Sequence, residues 1–153
     1  MGDRRQAREL ALQALFAFDI EKTFPSQNLE EDLDMFCVNN EKKLTKSIKP
    51  FFLKLVKGVN KNFSQIDLLL SKYSKNWKIF RMPVVDRNIM RIAIFEFLKE
   101  SDIPGNVTIN EAVEIGKKYG TKDSGPFING VLDRIKAREN FKPDLTTTNN
   151  EGL

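Results

Sequence analysis

The chain has 153 residues, 41% apolar and 30% charged, the composition of an ordinary folded domain large enough to bury a core without staples. Its net charge of +4 is modest, but it has no histidine and a lone cysteine, Cys37, which together exclude a His/Cys metal site, a Ser-His or Cys-His nucleophile pair, an imidazole general base and an internal disulfide framework. No apolar run approaches a membrane span and the charged start lacks a signal-peptide core, so the expected compartment is the cytoplasm, with carboxylate or lysine chemistry alone left open to an enzyme.

The first predicted helix covers residues 4–18, free of glycine and proline and rich in Ala, Leu, Gln, Arg and Glu. Ala7, Leu10, Ala11, Ala14, Leu15 and Phe18 form one apolar stripe, and Leu12 and Phe16 add apolar surface outside it, more than one packing face needs. Arg4, Arg5 and Arg8 fall within a turn of each other at the helix start, where unpaired backbone N–H groups point outward, so this end reads as a grip for a polyanion. Residues 22–29, with Pro25 and Asn28, form a loop, and 30–38 a short second helix with acids in its first turn.

From 44 to 74 apolar residues recur at three and four positions, giving one long helix or two, with Gly58 and a Ser64/Asp67 capping-box pattern placing a break near 60–63. Residues 77–82 are a connection anchored by Trp77, Ile79 and Phe80, after which Pro83 opens a helix over 84–98 that is apolar all round and therefore central. A turn through Pro104 and Gly105 leads to Thr108-Ile109-Asn110-Glu111, a capping-box pattern opening a helix that runs through Tyr119 and closes at Gly120. A loop over 121–125 follows, and Pro126 opens the last helix. Six or seven helices and no period-two strand make the fold all-α, one domain over 1–139 followed by a disordered tail over 140–153.

Charge is segregated along the chain: residues 19–41 hold seven acids against one base, and 42–81 eleven bases against Asp67 alone. Such a pattern suits a nucleic-acid or acidic partner, although for the basic middle segment a solvated lysine face is the more usual explanation.

Four fragments carry a recognisable pattern: R-R-x-A-R-E-x-A-x-Q-A-L-F at the start, D-R-x-I-x-R-I-A-I-F-E at 86–96, I-N-E-A-V-E-I at 109–115 and D-S-x-x-F-I-N-G-V-L-D at 123–133. Together, in this order, over about 4–138, they resemble the NusB transcription antitermination factors. The basic middle segment is the least typical part.

The resemblance implies two small helical bundles, no enzyme activity and no cofactor. It also implies a role in bacterial transcription: pairing with the ribosomal protein NusE, binding the boxA element of nascent single-stranded RNA, and helping RNA polymerase, with NusA and NusG, to read through terminators in ribosomal RNA operons. Carried over residue by residue, the RNA-binding positions are Arg4, Arg5, Arg8, Gln13, Asp123 and Phe127, and the NusE-facing positions are Phe16 and Asp86. On physical grounds cations along an RNA backbone and an aromatic ring under an unstacked base make a coherent site. Phe127 could equally be a core residue, Asp123 a helix N-cap, and Asp86 an acid stabilising its own helix's first turn. Two other functions compete: a protein-interaction or homodimerisation module using the apolar excess of the first helix, and a relative of the NusB-like domain of ribosomal RNA cytosine methyltransferases. The second lacks any glycine-rich strand-to-helix turn for a cofactor.

Overall fold

The computed structural model describes residues 2–75, 77–139 and 141. Its elements are α1 (Asp3–Ile20), α2 (Leu29–Asn39), α3 (Lys49–Lys61), α4 (Phe63–Tyr73), a 3-10 turn (Ile79–Arg81), α5 (Val84–Lys99), α6 (Gly105–Tyr119) and α7 (Ser124–Arg138). Among the described residues there are seven α-helices and no strand, as the periodicity implied. Helices α1 and α3 pack together, with α2 joined by the Phe36–Phe52 ring stack, as one group; α4–α7 form a second, and α5 packs against α1, α3, α4, α6 and α7, so both share it. Its residues from Asn88 to Phe97 are all buried, which is why it is apolar on every side.

The apolar excess of α1 has the same explanation. The helix lies against α3 and α5, and Leu12, outside the main stripe, is as buried as the stripe itself. The break predicted at 60–63 falls at Asn62, which ends α3 and begins α4. Gly58, read as a weak point, is a contact: a Cβ there would collide with the Phe95 ring of α5, so glycine sets how closely α3 and α5 approach.

Both capping-box readings are corrected. Helix α4 already includes Ser64, and Asp67 accepts two guanidinium bonds from Arg91, each at 2.9 Å. Helix α6 begins at Gly105, three residues before Thr108, whose hydroxyl donates to Glu96 in the core at 2.8 Å, while Glu111 pairs with Arg5. In each case tertiary partners claim the side chains that the local pattern assigned to a helix end. Pro126 sits inside the first turn of α7, where its missing N–H leaves no bond unmade.

Charged side chains join the two groups. Asp19 of α1 accepts from Arg87 twice at 2.8 Å, from Arg91 at 2.9 Å and from Asn88 at 2.9 Å, all on α5. Burial pushes the Asp19 carboxyl up, but Arg87, Asn88 and Arg91 outweigh it and hold the group below its usual range. The ordered body reaches Phe141, whose ring stacks on Phe97 with centroids 5.4 Å apart. The disorder expected for the tail covers 140–153, of which all but Phe141 lie outside the described residues.

Candidate nucleic-acid interface

The three arginines at the start of α1 have three different environments. Arg8 is 4% exposed and makes a two-pronged bond to the buried Glu96, at 2.7 and 3.0 Å, with Glu111 a further 3.5 Å from its Nη1. The planar fork matches the carboxylate, and Thr108 donates to the same acid, so this pair is a satisfied core network and not an open grip. Arg5 is half-buried and grips Glu111 through Nε and, at 3.0 Å, through Nη2. That hydrogen bond holds the Glu111 carboxyl below its usual range. Arg4 is exposed, stacked over Phe51 at 5.0 Å and only loosely near Asp102 at 3.7 Å.

Gln13 does not share a face with Arg4 or Arg8. It stands about two and a half turns beyond Arg4, on the opposite side of the helix. There it lines an open groove with Gln6, Leu10, Lys118 and Tyr119. Glu9 runs along the floor, its Oε1 accepting from Lys118 at 2.9 Å and from the Tyr119 hydroxyl at 2.8 Å. Burial and the Glu9 bond push the Tyr119 phenol up.

The last two RNA candidates meet in a cleft of about 390 Å³ between the 75–83 connection and the start of α7, lined by Trp77, Pro83, Asp86, Thr121, Asp123 and Phe127. Asp123 occupies the N-cap position of α7, yet its exposed side chain makes no capping bond. Ser124 organises this corner, its hydroxyl accepting from the Thr121 backbone N–H at 3.0 Å and donating to Asp86 at 2.7 Å. Gly120 is required beside it, because a Cβ there would strike the Ser124 hydroxyl.

Phe127 is half-buried, and Trp77 meets it edge-on with ring centroids 5.9 Å apart. Trp77 is 50% exposed. Read from the sequence as an anchor of a connection, it instead supplies an open aromatic surface, and no local signal sets it apart from Ile79 and Phe80.

Asp86 is 3% exposed, its carboxylate turned to the Ser124 hydroxyl and not to the surface. Burial pushes its carboxyl up against the opposing Ser124 bond. Phe16, by contrast, is 37% exposed, and Ile20 one turn on is also exposed. The Asp19–Arg87 pair, with Arg87 also donating to the Ile79 carbonyl at 3.2 Å, draws the 3-10 turn to this end of α1. The exposed Ile20 and Phe80 therefore flank one junction. No group of three or more His, Cys, Asp or Glu residues that could hold a metal occurs among the described residues.

The family model for NusB matches residues 5–137. The chain belongs to the NusB family. NusB of Desulforapulum autotrophicum, named a transcription antitermination protein, is 60% identical over 141 residues, covering 92% of this chain and 96% of that one. The NusB of Desulfatibacillum aliphaticivorans is 51% identical over 135 residues, 88% of this chain and 90% of its own. Among solved structures, T. maritima NusB superposes with a TM-score of 0.76 at 38% identity, over 90% of this chain and 92% of that one. A crystal structure of antitermination factors NusB and NusE in complex with dsRNA gives 0.76 at 26% identity, over 90% and 98%. The all-helical NusB fold is thus common to the chain and these neighbours.

Proposed function

We propose that this protein is a non-catalytic RNA-binding antitermination factor that, with ribosomal protein NusE, binds boxA RNA and promotes read-through by RNA polymerase in ribosomal RNA operons. In this reading it works in the cytoplasm within a complex that includes NusA and NusG. Family membership supports the role, and the Trp77–Phe127 cleft is the observation that carries RNA binding by this chain. Two open aromatic rings beside an uncommitted carboxylate and a threonine suit an unpaired base: the rings stack on its face, and Asp123 accepts from its edge. Duplex bases, stacked and paired internally, would not enter such a cleft.

Roles divide accordingly. Phe127 and Trp77 stack, Asp123 reads a donor on the base edge, and Gln13 contacts the strand along the groove. Arg4 meets phosphate; Arg5 and Arg8 hold α1 to α6 and α5, keeping Arg4 in place. Phe16, with Ile20 and Phe80, forms the apolar face for NusE, and Asp86 supports that face and the cleft from beneath. A homodimer of the free protein would use the same face, since Phe16 and Ile20 are exposed apolar side chains on one flank of α1.

A gel shift with a boxA-like RNA, with and without NusE, against a scrambled RNA, tests the reading. Selective binding strengthened by NusE is expected. Equal shifts with both RNAs would contradict it, and a tight dimer by light scattering that persists when NusE is added would assign the apolar face to self-association.

A further inference from the structure

The lysines that open the basic middle segment have no part in the roles above, and their place in the fold suggests one. The loop between α2 and α3 is a fixed turn. The Lys43 and Leu44 N–H groups both donate to the Asn40 carbonyl at 3.0 Å, and Leu44 and Ile48 are buried in the core. This turn forms the second wall of the groove beside α1, a cavity of about 510 Å³. Lys42 and Lys43 stand on that wall, both exposed, with no ion pair among the described residues. Lys118 stands on the other, its charge partly met by Glu9.

Between these walls the floor presents the Gln6 and Gln13 side chains, the Tyr119 ring and the Glu9 carboxylate, whose Oε1 is engaged by Lys118 and the Tyr119 hydroxyl. Tyr119 lines the groove and Thr121 lines the aromatic cleft, with Gly120 alone between them, so the two linings come within about 7 Å of each other along the chain.

We propose that this groove is a phosphate track for the RNA strand leaving the Trp77–Phe127 cleft, with Lys42 and Lys43 neutralising two phosphates beyond the bases held there. The inference rests on the RNA-binding reading given above. Two observations favour RNA over an acidic protein as occupant: the linings of the groove and of the aromatic cleft are one residue apart along the chain, and an amide side chain can meet either donors or acceptors on base edges. Unpaired lysines on a fixed turn supply attraction without sequence preference, as phosphate contacts do.

The test compares a short RNA covering only the element with RNAs carrying about six added nucleotides at one end or the other, against wild type and the Lys42→Gln/Lys43→Gln double variant. One extended RNA should bind wild type more tightly than the short RNA, and the double variant should lose that gain while binding the short RNA normally. For the responding RNA the salt slope of the variant should be shallower by about 1.4, so raising salt from about 50 to about 200 mM costs wild type about sevenfold more affinity than the variant. Lys42→Arg/Lys43→Arg should restore the wild-type slope.

Unchanged slopes on both extended RNAs would overturn the proposal, as would equal losses on short and extended RNA. Loss of NusE binding by the double variant with RNA binding intact would overturn it in favour of a protein partner. A Trp77→Ala variant separates the two readings: unaltered affinity for the short RNA would remove the cleft assignment, while the lysine slopes would still judge the groove.

Discussion

The two ends of the molecule's charge display behave in opposite ways. At the start of α1 the cations face inward: Arg8 is sealed against Glu96, and Arg5 grips Glu111. By contrast, the lysines of the α2–α3 turn and the rings of Trp77 and Phe127 line open grooves. A conspicuous run of arginines is thus largely architecture, whereas the lysines and Trp77 proposed to bind sit in stretches with no strong local pattern. The difference follows from chemistry. Guanidinium forks can satisfy buried carboxylates in two directions, whereas lysines and partly exposed rings remain available to a ligand.

The largest test of this contrast is Arg8→Ala. It leaves Glu96 charged and buried, which should cost about 3–5 kcal/mol and lower the melting temperature by about 10 °C or more. A melting curve matching wild type would place Arg8 with the open cations instead. Next comes Asp19→Asn, which weakens the bonds from Arg87 and Arg91 and should cost about 2 kcal/mol at neutral pH.

The sign of its pH dependence follows from the carboxylates held low in the fold. Asp19 and Glu111 have folded values below their unfolded ones, so their stabilisation is complete above the ordinary carboxylate value of about 4 and disappears as pH falls through the folded values. Thermal melts of wild type from neutral to about pH 3 should therefore drop steeply at the acid end, and Asp19→Asn should show a shallower drop. Parallel curves would mean that Asp19 is not part of the acid-sensitive set.

On the open side the effects move from stability to binding. Trp77→Ala should weaken RNA binding by about 1–3 kcal/mol with a melting temperature close to wild type, as measured by fluorescence anisotropy beside a thermal scan. Arg4→Ala should change least: stability within about 0.5 kcal/mol and a salt slope shallower by about 0.7. A large loss of stability there would show that Arg4 belongs with its neighbours in the interior.

Much of the architecture was legible because it depends on periodicity. The central helix announced itself by being apolar all round, the α3–α4 break by Gly58 and the residues after it, and the family by four fragments in order. What was not legible depends on long-range partners. Thr108 and Glu111 read as a cap because nothing local shows that Glu96 and Arg5 wait for them. Arg8 looked like a surface cation because its acid lies 88 positions away. Trp77 looked like an anchor because exposure is decided by the packing of α7, far along the chain. Gln13 was grouped with the arginines, although its helical phase already put it on a different face from Arg4 and Arg8.

Trp77 is the only tryptophan in the chain, which makes the central claim directly observable. Its emission should be quenched in a saturable way as boxA-like RNA is added, with the same midpoint as binding followed by a label on the RNA, and replacing Phe127 with alanine should weaken both signals together. RNA binding at full affinity with unchanged tryptophan emission would contradict the account, because the strand would then be held somewhere other than the Trp77–Phe127 cleft.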